Sequence, residues 1–310
     1  MIDFTGQVVV VTGAGRGLGR LYALNMAQRG ASVVVNDVGG AMNGSGADPA
    51  VAEQVVEEIE GAGGVAVAAH HSVDSPEGGQ AIVRTAIDRF GRLDAVVSNA
   101  GIFQTLPFED LSPTDWRRML QVHLDGGFHV SQPAFRVMKS QGYGRFVFIA
   151  SSAGLFGQPL SAHYAAAKAG LLGLTNVIAI EGAEHGILAN TVLPFGFSRM
   201  VAETIGDADQ VPEVSAFLTA IEPELVVPLV VFLASRACGL THHNFSACAG
   251  RFARVFVGLG EGWLAAPASN PTADDVAEHL SEASATEPFT VPMSIFDEVA
   301  GIADRLGITC

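Results

Sequence analysis

Short β-branched runs that stop at Gly or polar residues, each followed by a stretch with helical spacing, recur along most of the chain. Val8-Val9-Val10-Val11 ends at a Gly-rich turn, and helical spacing follows from about Leu18 to Arg29. Ala31 to Asn36 predicts a second strand. Residues 49 to 60 predict a helix, with Pro49 near its start and Gly61 at its end. Val65 to Ala69 is a third strand, Pro76 to Phe90 a helix closed by Gly91, and Leu93 to Ser98 a fourth strand. Helical spacing covers 113 to 139, a fifth strand spans Arg145 to Ala150, and a long helix runs from Ala162 to Glu181. Ile187 to Leu193 predicts a sixth strand, Leu225 to Ser235 a helix, and Arg254 to Gly258 a seventh strand.

Strand runs that are apolar on both faces belong in a parallel sheet covered on both sides. Right-handed crossovers turn that order into a doubly wound α/β domain, whose ligands bind beyond the carboxyl ends of the strands. The expectation is a seven-stranded, mostly parallel sheet over residues 1–260, followed by a helical extension over 261–310. In the extension, Thr272 with Asp275 forms a capping-box pattern ahead of Val276 and Leu280. Ser294 precedes a helical set of Ile295, Val299, Ile302 and Leu306, ended by Gly307. These two amphipathic helices are expected to pack on the domain or on a partner subunit.

With 49% hydrophobic and 16% charged residues, the chain can bury a sizeable core and is not disordered. A formal net charge of −15 repels nucleic acid and anionic membrane surfaces, so neither is an expected partner. Cys238, Cys248 and Cys310 are odd in number and lack zinc-site spacing, which reads as free thiols in a reducing compartment. His70-His71 and His242-His243 are adjacent pairs that do not share one face, so no metal site is expected. The start of the chain has no basic segment followed by an apolar one, and no apolar run reaches the roughly 18 residues of a membrane span. A cytoplasmic location is the expectation.

The first turn reads Thr12-Gly13-Ala14-Gly15-Arg16-Gly17-Leu18-Gly19. Glycine permits a tight turn and lets a pyrophosphate approach the backbone, while the following helix offers free N–H groups and its positive dipole end. The match is to TGxxxGxG through Gly13, Gly17 and Gly19, with Arg16 and Leu18 lining the same turn. The second strand ends at Asn36-Asp37, and an acid about 20 residues after such a loop suits the ribose hydroxyls of NAD and repels the extra phosphate of NADP. Arg16 pulls the other way, since a cation could hold that phosphate. The strand-end position of Asp37 favours NAD.

The fifth strand runs into Ser151-Ser152, and Tyr164 and Lys168 follow at i, i+4 spacing on the long helix. A Lys ammonium beside a phenol favours phenolate and lowers its pKa, which makes Tyr164 a usable base for an alcohol proton and an acid in reverse. A serine hydroxyl near the same oxygen can hydrogen-bond to it.

The chain resembles a short-chain dehydrogenase/reductase from Met1 to about Gly260, through the TGxxxGxG loop, Asn99-Ala100-Gly101, Ser151 and the Tyr164–Lys168 pair. The resemblance implies a Rossmann fold and an enzyme that acts on CH–OH groups. It makes Tyr164 the acid/base, Ser151 the residue that orients the substrate oxygen, and Lys168 the ribose holder. It places Asn99 beside the adenosine ribose, with Ala100 and Gly101 also binding the cofactor, Ser72 and Val73 at the adenine, and Pro194, Gly196 and Ser198 over the nicotinamide. It also implies a homodimer or homotetramer.

His123 stands where the family usually carries an Asn that supports a proton relay; it is either a relay member or a buried, hydrogen-bonded residue. Ser98 replaces the first Asn of the usual NNAG, and Phe195 replaces the Gly of the usual Pro-Gly.

Val35-Asn36-Asp37-Val38-Gly39-Gly40, Val122-His123-Leu124 and Ser198-Arg199-Met200, with the insertion from Gly39 through Asp48, resemble the (3R)-hydroxyacyl-CoA dehydrogenase unit of multifunctional β-oxidation enzymes. That group also contains 17β-hydroxysteroid dehydrogenases. The implied substrate is a small hydrophobic alcohol or ketone: a 3-hydroxyacyl-CoA, or alternatively a hydroxysteroid. The acidic stretch 201–222 speaks against CoA phosphates, while Arg199, Arg251 and Arg254 could receive them. A non-catalytic, dinucleotide-binding redox sensor is the alternative of another class, and the complete Ser-Tyr-Lys set argues against it.

Overall fold

The computed structural model describes residues 1–196, 212–266 and 269–308. The chain divides into two compact units, Met1–Arg254 and Val255–Cys310. The first unit is built on strands β1 (Val8–Thr12), β2 (Ser32–Asn36), β3 (Val65–Ala69), β4 (Ala95–Ser98), β5 (Gly144–Ile149), β6 (Ile187–Phe195), β7 (His243–Cys248) and β8 (Arg251–Val255). They form an eight-stranded sheet in the order β3-β2-β1-β4-β5-β6-β7-β8. Every pairing from β3 across to β7 is parallel. The strand order reverses between β1 and β4, the crevice at which doubly wound sheets take their ligands.

Helices α1 (Gly17–Gln28), α2 (Ala50–Gly61), α3 (Pro76–Phe90), α4 (Pro113–Leu120), α5 (Gly126–Gln141), α6 (Ala153–Phe156) and α7 (Ala162–Gly182) supply the crossovers and cover. Successive strand residues face opposite ways, so each valine run fills two cores at once. Val9, Val11, Val33, Val35 and Val97 pack with Tyr22, Met26, Val230 and Leu233 on one face. Val8, Val10, Val34 and Val96 pack with Ile82, Val130, Met138 and Leu171 on the other. Both faces being dry explains why these strands read as unbroken apolar runs.

The sheet has eight strands, one more than the sequence pattern predicts. The expected seventh strand at Arg254–Gly258 is replaced by a hairpin of β7 and β8. Its turn residues, Ala249 and Gly250, have φ of 50° and 74°, the left-handed pair that two-residue hairpins use. β7 reads His-Asn-Phe-Ser-Ala-Cys and is mostly half-buried, so it lacks the continuous apolar signature of the central strands.

The helical pattern over 113–139 resolves into α4, a π-helical turn at Gln121–Asp125, and α5. Such a wide turn inside a helix is uncommon and tends to mark a functional position; here it carries His123.

In the second unit, Ala273–Glu278 and Ile295–Arg305 are helical; the first is opened by the capping box read from the sequence, Thr272 with Asp275, and the second by Ser294, which forms a box with Asp297 that the sequence reading did not name. A two-stranded antiparallel ribbon pairs Leu259–Gly260 with Phe289–Thr290.

Candidate active site

The turn between β1 and α1 is fastened to the end of β4. Thr12 Oγ1 accepts from the backbone N–H groups of Asn99 and Ala100, both at 3.0 Å. Asn99 Nδ2 donates to Thr12 O at 3.0 Å and to Gly13 O at 3.1 Å. A Cβ on Gly19 would collide with the Gly13 carbonyl oxygen. Gly17 is different: it sits at φ +53°, and among the described residues nothing lies within 4 Å of its Cβ position. The α1 N-terminus has no side-chain cap and no acidic residue in its first turn. Open space beside bare helix N–H groups is what a dinucleotide's phosphates require.

Asp37 stands at the end of β2. Its Oδ2 accepts from Gly15 N at 2.8 Å and its Oδ1 from Gly39 N at 2.7 Å. Gly15 is a site residue that the motif match passed over. A Cβ there would strike Val51 Cγ1 and lie 2.9 Å from Asp37 Oδ2. The extra glycine beside a strand-end acid was the signal available. Arg16 Nη1 donates to Gly40 O at 3.1 Å, one residue beyond the Gly39 that Asp37 binds. Ser72 and Val73 follow β3, on the same edge of the sheet, with Val73 buried and Ser72 Oγ accepting from Asp74 N at 3.3 Å.

On the other side of the crevice, Ser151 follows β5, and its hydroxyl stands near enough to that of Tyr164 to favour the phenolate. Ser151 Oγ also accepts from Ala153 N at 3.2 Å. Lys168, one turn beyond Tyr164 on α7, is buried; its Nζ donates to Ile149 O at 2.6 Å and lies 5.7 Å from the Tyr164 ring centre. Burial pulls the Lys168 ammonium down to about 7. Burial likewise raises the Tyr164 phenol above its ordinary 10, with the nearby Ser151 hydroxyl working against that rise. The expected lowering of the phenol by Lys168 is therefore not met in the chain by itself, because desolvation of the phenolate outweighs the opposing contributions. Tyr164 is set as a proton donor.

His123 is buried, and its Nε2 lies 3.1 Å from Ile102 N and 2.7 Å from Ile102 O. Its Nδ1 has no hydrogen-bond partner among the described residues. Burial, and then the charge of Lys168, hold it well below the ordinary imidazole range, so it is neutral. Gly101 makes room for the ring, since a Cβ there would collide with His123 Cε1. Two rings meet Tyr164 edge-on: His123 at 5.2 Å and 90°, and Phe103 at 5.2 Å and 88°. Phe103 was missed by sequence reasoning, because nothing local distinguishes it from a core aromatic.

Pro194 lies near the end of β6, and Gly196 just beyond it approaches Pro223, whose Cα would be 3.1 Å from a Cβ on Gly196. Ser198, Arg199 and Met200 lie outside the described residues.

The model of the short chain dehydrogenase family matches residues 7–209. The chain belongs to the short-chain dehydrogenase family. It is an oxidoreductase of CH–OH groups, and the fold binds a nicotinamide dinucleotide. This short-chain dehydrogenase is 43% identical over 276 residues to a short-chain type dehydrogenase/reductase of Mycobacterium tuberculosis, covering 89% of this chain and 93% of that one. It is 36% identical over 244 residues to a hydroxyacyl-CoA dehydrogenase of the same organism, covering 76% of this chain and 74% of the other. It superposes on the full-length peroxisomal multifunctional enzyme type 2 of Drosophila melanogaster with a TM-score of 0.81 and 31% identity, covering 99% of this chain and 50% of that chain. This short-chain dehydrogenase thus spans about half the length of that multifunctional enzyme. Among its described residues, no helix is long and apolar enough to cross a membrane.

Proposed function

We propose that the chain is an NAD-dependent dehydrogenase that interconverts the hydroxyl and keto forms of a 3-hydroxyacyl-CoA. The observation that carries this reading is the Tyr164 hydroxyl beside that of Ser151, with the buried Lys168 one helical turn away and open space at the Gly17 turn across the crevice. A bound nicotinamide supplies the acceptor for the carbinol hydride. Tyr164 Oη takes the carbinol proton in oxidation and returns it to the carbonyl oxygen in reduction. Ser151 holds that same oxygen. Gly13, Arg16, Gly17, Leu18 and Gly19 would hold the dinucleotide's phosphates, with Asp37, Ser72, Val73 and Asn99 at its adenosine half.

The Asp37 carboxylate at the end of β2 supports NAD over NADP, because a 2′-phosphate there would meet a like charge. The acyl-CoA substrate is supported by the hydroxyacyl-CoA dehydrogenase relative and by the likeness to the multifunctional enzyme. Apolar Phe128 on α5 and Val177 and Ile180 on α7 are exposed, surface that a second copy would cover in a homodimer or homotetramer.

NADH absorbance with a panel of 3-hydroxyacyl-CoAs, hydroxysteroids and simple alcohols, run with NAD and with NADP, tests this. Turnover of 3-hydroxyacyl-CoAs with NAD is the expected outcome. Turnover confined to steroids would reassign the substrate, and turnover confined to NADP would reverse the role given to Asp37. Tyr164→Phe abolishes activity if the proton passes through its hydroxyl; full turnover in that variant would point to the non-catalytic class.

A further inference from the structure

The insertion between β2 and α2 has no part in the chemistry so far. It closes at its neck, where Asp48 N donates to Val38 O at 2.9 Å and Gly39, at φ +73°, comes so near that a Cβ would strike Asp48 O. Its tip is a turn in which Ala41 N donates to Ser45 O and Gly44 N to Ala41 O, both at 2.8 Å. A loop whose ends meet and whose interior is filled by its own groups behaves as a compact body.

That body bridges the crevice. At its root, Arg16 Nη1 donates to Gly40 O at 3.1 Å, which ties it to the turn after β1. At its tip, Met42 O accepts from Phe103 N at 3.0 Å, beyond β4. The Cβ position of Gly44 lies 2.8 Å from Ile102 Cγ2 and 3.2 Å from Arg118 Nη2. Ile102 in turn holds His123 through its backbone. Of the two rings that meet Tyr164 edge-on, Phe103 is therefore carried by the short segment 102–103 and His123 is hydrogen-bonded to it, and the loop tip fastens that segment.

We propose that Phe103, held through its backbone by Met42 at the loop tip, is a positioning residue for Tyr164, so that residues 38–49 couple the dinucleotide side of the crevice to the acid/base. The proposal rests on Tyr164 being that acid/base. A phenol on a helix can swing about its side-chain torsions. Rings on two sides confine the swing and keep the hydroxyl in reach of Ser151. Misplacement of a reacting group by about 1 Å costs up to roughly a hundredfold in rate, so loosening one ring is visible in turnover.

The test compares wild type with Phe103→Leu, Gly44→Val and Tyr164→Phe, using NAD, NADH and 3-hydroxybutanoyl-CoA as probes. Phe103→Leu removes the ring and keeps an apolar side chain. Gly44→Val pushes the tip off Ile102, at a φ of +79° that valine rarely adopts. Both variants are expected to lower kcat by about tenfold, and Phe103→Leu to leave the NADH Kd within about twofold. The chain has three tyrosines, so the phenolate absorbance step that Tyr164→Phe deletes can be assigned; Phe103→Leu and Gly44→Val should both move it. If kcat and that step stay unmoved in both while Tyr164→Phe is inactive, the positioning role is wrong and the acid/base assignment stands. If Tyr164→Phe keeps turnover, the assignment falls and the proposal with it. Should the probe acyl-CoA not be turned over, the absorbance step decides alone, and an unmoved step overturns the proposal.

Discussion

The Asp37 carboxylate grips the backbone of Gly15: the Gly15 N–H donates to Oδ2 at 2.8 Å while Oδ1 takes the Gly39 N–H. The acid at the end of β2 thus braces the turn that faces the dinucleotide. Replacing it should do two separable things. Asp37→Ala leaves two backbone donors without their acceptor and should lower stability by about 1–3 kcal/mol. Asp37→Asn keeps one acceptor oxygen and loses less. Both remove the charge, so both should narrow the preference for NAD over NADP, read as the ratio of kcat/KM for the two cofactors. An unchanged ratio in Asp37→Asn would remove the electrostatic basis of the preference.

The glycines of the first turn divide by what a methyl group would meet. Gly19→Ala drives Cβ into the Gly13 carbonyl oxygen, part of a backbone fastened to β4 by Asn99. It should destabilise the fold by roughly 2 kcal/mol or more, because neither backbone can yield. Gly17→Ala meets open space and suffers chiefly from its positive φ, a cost of about 1 kcal/mol. It should leave the fold largely intact and weaken NADH binding, because the methyl group projects beside the helix N–H groups that would hold the phosphates. Urea unfolding and NADH fluorescence titration separate the two. Equal unfolding losses in both variants would contradict this division.

The central strands, the Gly turn and the Ser151, Tyr164 and Lys168 set were legible because each has a local signature. β1 fills two dry cores, so every residue of it is apolar apart from its terminal Thr12. β7 was not legible: it is a half-buried strand near the sheet edge, whose place is fixed by pairing with β6 rather than by its own composition. The same limit applies to function. Phe103 and Gly15 matter through contacts with residues distant in sequence, Tyr164 and Asp37, and no spacing rule encodes those contacts. The direction of the Tyr164 shift was misread for a related reason. The i, i+4 spacing reveals the ammonium, but the desolvation that raises the phenol comes from the surrounding fold.

His123 is held neutral in the fold, well below its ordinary range, by burial and by Lys168. The unfolded chain would carry a normal imidazole, with a pKa near 6.5. Below that value the unfolded state binds a proton that the folded state refuses, so stability is full above about pH 6.5 and declines as pH falls toward the folded pKa. His163, also lowered by burial, adds to the same slope. His123→Asn should flatten the acid side of the stability curve measured by urea unfolding between about pH 7 and pH 5. If the ring also relays protons, the pH–rate profile of the variant changes as well. A rate profile that keeps its shape while the stability curve flattens would assign His123 a purely structural part.

Lys168 offers the opposite side of the pH scale. Its Nζ donates to Ile149 O, and burial pulls it down to about 7, against about 10.4 for a free side chain. Between those values the unfolded chain holds a proton that the folded chain has released. Stability of the dinucleotide-free protein should therefore gain from this group as pH rises through that window, and lose that gain as pH falls back through about 7. Lys168→Met removes the titration and leaves Ile149 O without its donor. The variant should be nearly as stable as wild type at about pH 6 and fall progressively behind toward about pH 9. Its turnover should drop by roughly a hundredfold or more where Lys168 is protonated, because the phenol there loses the neighbouring cation that favours its ionised form. Unfolding curves for the two proteins that run parallel across this window would show that Lys168 is not desolvated in solution, and the acid/base site would then be more open to water than its packing indicates.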